Sequence, residues 1–123
     1  MQQLIWVFIG GGLGSLARFG LSVWIKNPPG KFPWATFAAN LLACLVLGLT
    51  LAYLAQRSEL TSYLRPLVLV GFCGGFSTFS TFSLETFKLL EAGQWGLALA
   101  YVMSSVFACL FIFWGLTQLL KNS

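Results

Sequence analysis

The sequence has no histidine, only three acidic residues and few charges of either sign. Charged residues make up 8% of the 123 positions and hydrophobic residues 58%, whereas a soluble domain carries about a quarter charged residues. Without histidine and with so few carboxylates, the chain lacks the usual ligands of zinc and the usual proton shuttle. These absences exclude an ordinary soluble domain and argue against a metalloenzyme, and we expect no enzymatic activity.

Cysteine is also scarce, and the basic residues are scattered. Cys44, Cys73 and Cys109 each lie in an apolar stretch, so we expect reduced, packed thiols rather than a disulfide framework. The net charge is +4, but the basic residues form no patch interleaved with exposed aromatic residues, as a nucleic-acid surface would require. We therefore expect no nucleic-acid partner.

Long hydrophobic runs are what the sequence has in abundance. Four of them, at residues 4–25, 33–55, 66–90 and 95–120, reach the roughly 20 residues that a helix needs to cross the hydrocarbon core. The connections between them are short, so successive helices should run antiparallel. The sequence predicts an all-α integral membrane protein with a single transmembrane domain over residues 1–123.

Basic residues are divided nearly evenly between the two predicted sides of the membrane. One side has Arg57, Arg65 and Lys121, and the other has Lys26, Lys31 and Lys88, with Arg18 slightly inside the first span. Orientation normally follows the side richer in Lys and Arg. The balance predicts dual topology, with both orientations made from one sequence, unless another determinant fixes one orientation. Four helices leave little room for a pathway in one protomer, so a dimer is the expected working unit.

Small residues in the first span could bring helices together. Gly10 and Gly14 stand in a Gly-x-x-x-Gly spacing, and Gly11 with Ser15 repeats it one step on. Such spacings let two helix backbones approach closely in a membrane. They favour either packing within the protomer or a dimer seam.

The third run is interrupted by GGFSTFSTFS at residues 74–83. Two adjacent glycines and a run of hydroxyl residues give poor helix propensity. Irregular backbone at membrane depth is tolerated where it is buried in protein or lines a cavity, and its freed polar groups can bind ions. We expect a third helix broken near its middle. The alternative is a helix kinked at the glycines, with hydroxyls bonded to the preceding turn.

Polar residues of three spans fall at one depth when a rise of about 1.5 Å per residue is applied. Phe79 and Phe82 reach the level of Asn40, whose amide would cost several kcal/mol in hydrocarbon if unpaired. The other members of this layer are Thr36, Tyr101, Ser104 and Ser105. A layer of hydroxyl and amide donors without a carboxylate favours a small anion. Arg18 and Glu85 either form a structural pair or lie at a charged pore entrance that attracts anions.

Three motifs give the sequence a family resemblance. GGLGSLARF at residues 11–19, PWATFAANLL at 33–42 and GFCGGFSTFSTFS at 71–83 resemble the fluoride channels of the Fluc or CrcB type, and the similarity runs nearly end to end. The resemblance implies an antiparallel, dual-topology homodimer in the bacterial inner membrane. It also implies passive export of fluoride through two pores and a structural sodium ion between the protomers.

The resemblance also implies roles for individual residues. Asn40 would be the pore amide, Phe79 and Phe82 would face the ions, and the backbone carbonyls of Gly74 and Ser77 would bind sodium. The remaining expected site residues are Thr36, Ser80, Thr81, Tyr101 and Ser105 on or near the polar track, Glu85 near one pore end, and Arg18 in the vestibule. The chain departs from the family pattern at Cys109, where a hydroxyl would be usual, at Ser77 in place of a threonine, and at Phe19 in place of a tyrosine.

Two other functions compete with a fluoride channel. A proton-coupled exporter of small cationic drugs is also short, four-spanned and dual in topology, but it needs a titratable carboxylate at the midplane. Spans one, two and four contain none, and Glu85 lies off centre. A non-conducting assembly factor would leave the layer of donors unexplained.

Overall fold

The computed structural model describes residues 1–26, 28 and 30–121, and for residue 58 the backbone alone. Residues 27, 29, 122 and 123 of the predicted domain lie outside the described residues. The helices are α1 (Gln2–Trp24), α2 (Trp34–Gln56), α3 (Thr61–Leu64), a π-helical segment (Arg65–Phe72), α4 (Cys73–Phe76), α5 (Phe79–Glu91) and α6 (Trp95–Lys121). A 3₁₀ turn, Ser58–Leu60, precedes α3.

Within the described residues, four helical stretches are long and apolar enough to span a membrane: Gln2–Trp24, Trp34–Gln56, Thr61–Glu91 and Trp95–Lys121. The prediction of an all-α protein with four spanning helices is thereby confirmed. The third span begins at Thr61 rather than at Pro66, because helical backbone continues through the proline. Proline removes one amide from the hydrogen-bond ladder, and farther along this segment the Cys73 amide bonds the Val68 carbonyl, five residues back.

Glycines form a tight seam between α1 and the third span. A methyl group added at Gly14 would overlap the Phe72 carbonyl, and one at Gly75 would lie 2.5 Å from the Gly11 carbonyl oxygen. Gly10 and Gly71 face each other in the same way farther along α1. Backbones this close leave no room for side chains between them. The Gly-x-x-x-Gly spacing of α1 is thus used for packing within the protomer.

The second half of the protomer is built on α6, which packs against α2 and α5. Two small buried clusters occur among the described residues of the protomer: Ala39, Ala43 and Phe76 between α2 and α4, and Leu89, Ala98 and Tyr101 between α5 and α6. Many large apolar side chains elsewhere in the spans are exposed, as a lipid solvent allows. The protomer therefore presents many apolar side chains outside, while Thr36 and Ser105 are buried polar residues.

Two extended residues separate α4 from α5. Ser77 has a ψ of 155°, and Thr78 has φ −152° and ψ 127°. Gly74 and Gly75 lie just before them, in helical α4, so the irregular backbone falls on the hydroxyl residues rather than on the glycines. The physical reason is that Gly75 is needed for the seam, whereas Thr78 can cap α5: its Oγ1 accepts from the Thr81 amide at 3.3 Å.

Candidate functional site

An open cavity of about 370 Å³ lies between α2, the Ser77–Thr78 segment and α6. Four of the expected pore residues line it, namely Asn40, Phe79, Phe82 and Ser105. Asn40 shares its helix face with Ala43, Cys44 and Leu47, and Ser105 shares its face with Cys109. These spacings of three and four residues are those of one face of an α-helix. Helix periodicity therefore directs all of these side chains toward the cavity.

Asn40 connects α2 to the interruption of the third span. Its Oδ1 accepts a hydrogen bond from the Thr78 amide at 3.4 Å. In a continuous helix that amide would donate to the carbonyl of Gly74, four residues back. The bond to Asn40 replaces the helical bond. The Thr78 amide therefore has a side-chain acceptor, and the Gly74 carbonyl loses its usual donor.

Ser105 is one of the residues that line the cavity, and its hydroxyl is buried without a partner in the described part of the chain. The residue is 5% exposed, and its Oγ has no hydrogen-bond partner among the described residues. A buried hydroxyl left unpaired costs about 1–3 kcal/mol. An occupant of the cavity that accepts a hydrogen bond would remove that cost.

The two phenylalanines differ in their surroundings. Phe79 is 80% exposed, whereas Phe82 is half-buried and its ring lies 4.9 Å from the ring of Tyr101. The Phe79 and Phe82 ring centroids are 6.0 Å apart, within the range of aromatic contact. Phe82 thus forms part of the inner wall, and Phe79 stands at the protomer surface.

Tyr101, Thr36 and Glu85 form a second polar cluster beside the cavity. Tyr101 is fully buried, and its hydroxyl donates to Glu85 Oε1 at 3.1 Å. Buried Thr36 contacts the same hydroxyl. Glu85 in turn lines a second pocket, of about 210 Å³, with Lys31 and Lys88 at its rim. The cluster therefore lies between the central cavity and a basic outer pocket.

Thr78 organises the start of α5, a role that the sequence analysis did not assign. Its Oγ1 lies 3.0 Å from the Oγ of exposed Ser80 and accepts from the Thr81 amide. Its own amide binds Asn40. Threonine is a favoured N-cap residue, whose hydroxyl accepts from the backbone amide two or three residues on, and that preference could have identified the residue. Ser80 and Thr81 lie outside the cavity lining and next to Thr78.

Arg18 lies against the end of α4. Its Nε donates to the Gly75 carbonyl at 3.2 Å, at the end of a helix where a cation is favoured. The described hydrogen bonds thus give Arg18 and Glu85 different partners, a carbonyl and Tyr101 respectively. Within the described residues, no three His, Cys, Asp or Glu side chains come together as a metal site.

Comparison with known proteins identifies the family. Residues 5–116 match the family model described as CrcB-like protein, Camphor Resistance (CrcB). The chain belongs to the CrcB family. A fluoride-specific ion channel FluC of Magnetococcus marinus is 46% identical over 109 residues, 88% of this chain and 89% of the relative. FluC 1 of Mycolicibacterium paratuberculosis is 42% identical over 121 residues, 98% of this chain and 92% of the relative.

Family membership and helix composition agree on where the chain resides. CrcB relatives, including a FluC of Hahella chejuensis that is 43% identical over 112 residues, are named as ion channels rather than as enzymes. Four apolar helices long enough to span a bilayer account for most of the described chain. This CrcB chain is a multi-pass protein of the bacterial plasma membrane.

Proposed function

We propose that the chain is a fluoride-selective channel that exports fluoride from the cytoplasm by passive conduction. The observation that carries the proposal is the buried hydroxyl of Ser105, which is unpaired within the described chain and belongs to a residue that lines the same cavity as Asn40. Fluoride is a small anion and a strong hydrogen-bond acceptor, so it suits a dry site built of donors without a carboxylate. The names of the FluC relatives support the same ion.

The arrangement of the two open spaces supports a route for the ion. The central cavity is lined in part by Phe82, which contacts Tyr101, and Tyr101 binds Glu85 at the outer pocket. Lys31 and Lys88 at that pocket would raise the local concentration of an anion. Thr36, Ser80 and Thr81 would lie along or beside this route, and the edge of the Phe82 ring would face the passing ion.

The working unit would be an antiparallel homodimer with two pores. Phe79 is 80% exposed and the cavity is open at the protomer surface, so a second copy would complete the wall around each path. An inverted copy is compatible with the balanced basic residues of the two faces. Reporters for each compartment, fused to each terminus, should show both termini on both sides of the membrane. Signal from one side alone would exclude dual topology.

A structural sodium ion between the protomers would use the backbone of the interruption. The residues fit a hard cation because the Thr78 amide donates to Asn40 instead of the Gly74 carbonyl, and Gly74 lies at the surface, where an added Cβ would meet nothing within 4 Å. Ser77 is extended at the end of α4, and unwound carbonyls of this kind coordinate sodium in membrane proteins. The Gly74 and Ser77 carbonyls would hold the ion, which would supply a positive charge at the dimer centre.

Fluoride efflux from proteoliposomes tests the proposal directly. The pure protein should release trapped fluoride when a potassium ionophore balances the charge, and trapped chloride should remain. No fluoride release from folded protein, or equal chloride release, would reject a fluoride channel. Proton-dependent uptake of a cationic dye in the same liposomes would instead support the drug exporter.

A further inference from the structure

Three thiols line the cavity that the proposed ion path uses. Cys44 follows Asn40 by one turn of α2, Cys109 lies on the facing side of α6, and Cys73 belongs to α4. All three are free. The Cys109 Sγ lies 3.8 Å from the Asn40 carbonyl oxygen, and the Cys44 side chain lies within hydrogen-bond reach of Cys109. Two thiols from different helices thus meet on one wall of the cavity.

Cys73 differs from this pair in both access and bonding. It is buried, and its thiol donates to the Ala43 carbonyl at 3.6 Å. Cys44 and Cys109 are each half-buried and border the open cavity. Since no group of three potential metal ligands occurs among the described residues, the pair lacks the four ligands of a structural zinc site.

We propose that Cys44 and Cys109 form a two-thiolate site for a soft divalent cation. Soft thiolates select thiophilic metals, and mercuric ion forms stable linear complexes with two sulfur ligands. Binding would break two S–H bonds, form two metal–sulfur bonds and release two protons to water, with no change of oxidation state. Two thiolates neutralise a divalent cation, so the complex carries no net charge into a low-dielectric site, where an uncompensated charge is costly.

The position of the pair gives the site a consequence for transport. A cation bound between α2 and α6 would sit beside the Asn40 carbonyl and fill part of the cavity lined by Asn40 and Ser105. It should therefore block fluoride flux. This consequence rests on the proposed function, whereas binding of the cation does not.

Binding is tested with mercuric chloride on the full-length protein in detergent. After exchange against excess monothiol, which strips mercury from single cysteines, intact-mass spectrometry should find one mercury per wild-type chain. Cys44→Ala and Cys109→Ser should each lose it. Cys73→Ala is the matched control, since it removes a thiol of the same cavity wall, and it should retain the metal. Retention in either Cys44→Ala or Cys109→Ser, or a Cys44–Cys109 disulfide in the isolated wild type, would overturn the site.

Flux measurements separate this inference from the proposed function. Mercuric ion should reduce fluoride efflux at least tenfold in wild-type and Cys73→Ala liposomes, relative to the uninhibited flux of each protein. Cys44→Ala and Cys109→Ser should keep more than half of their own flux. If the pair binds mercury but no protein conducts fluoride, the site stands and the proposed function falls. Normal flux with mercury bound to both thiols would overturn the proposed block.

Discussion

The third span has two contrasting sides. Toward α1, Gly71 and Gly75 press against Gly10 and Gly11 so closely that no side chain fits between the helices. Toward α2 and α6, the same stretch borders an open cavity of about 370 Å³ with Ser77, Thr78 and Phe82 in its wall. One side is closed by backbone contact, and the other is left open, with a few polar side chains in a largely apolar lining.

The difference shows how a short protein can keep an irregular segment in a membrane. The seam fixes α4 against α1 through Gly75, and the carbonyl of the same residue is bonded by Arg18. On the open side, Asn40 satisfies the Thr78 amide. Because both ends of the interruption are held, its irregular backbone can border a cavity at membrane depth.

The glycine seam between α1 and the third span should tolerate substitutions less well than the open side. Gly14→Ala would force a methyl group into the Phe72 carbonyl, and overpacking of this kind costs about 1–3 kcal/mol or more. We expect loss of most folded protein, measured as the monodisperse fraction after size-exclusion chromatography and as the Tm. Gly12→Ala is the matched control, since a Cβ there would meet nothing within 4 Å. Equal behaviour of the two variants would mean that the glycine seam does not hold the fold.

Substitutions on the open side should leave the fold intact but reduce transport. Phe82→Ile removes a ring that contacts both Phe79 and Tyr101. In the proposed path the edge of this ring faces the ion, and a barrier that rises by about 1.4 kcal/mol slows flux tenfold, so flux should fall about tenfold or more. Proteoliposome efflux measures this, with Phe87→Ile, an exposed ring of the same helix, as control. Wild-type flux from Phe82→Ile would remove the ring from the path.

The fold was largely predictable because lipid imposes a simple length rule. Runs of about 20 apolar residues mark the spans, and the four that the structure describes lie where these runs lie. The early start of the third span at Thr61 was missed because the polar residues before Pro66 resemble a loop. The helical state of Gly74 and Gly75 was also missed, since the packing of Gly75 on α1 outweighs the low helix propensity of the pair.

The sequence predicts the depth of the candidate site residues in the membrane but not the direction in which their side chains point. A constant rise per residue brings Asn40, Phe82 and Ser105 to one level, and all three line the cavity. Depth cannot tell that Tyr101 turns away into the core to bind Glu85, or that Thr78 binds Asn40. Those contacts depend on side-chain rotamers and on the rotation of each helix, which a single sequence does not determine.

A substitution at Ser105 should affect transport and stability differently. Ser105→Ala removes a buried hydroxyl that has no partner among the described residues, so the Tm should stay unchanged or rise. Flux should fall about threefold, because one hydrogen bond contributes about 0.5–1.5 kcal/mol and the Asn40 amide remains. Ser104→Ala, which loses a bond to the Tyr101 carbonyl, is the control and should keep its flux. A lower Tm with full flux would make Ser105 a structural residue.

The smallest effect on flux should come from the Tyr101 hydroxyl. Tyr101→Phe removes its bond to Glu85 but keeps the ring that packs on Phe82. Since the hydroxyl already donates its hydrogen bond to Glu85, fluoride efflux should change less than about twofold. The folded state, however, loses a hydrogen bond to a charged group, worth about 1.5–3 kcal/mol. The Tm should therefore fall, and that of the control Tyr53→Phe, an exposed tyrosine, should not. A loss of flux as large as that of Ser105→Ala would show that the hydroxyl serves the ion directly and that the polar wall extends past Phe82 toward the outer pocket.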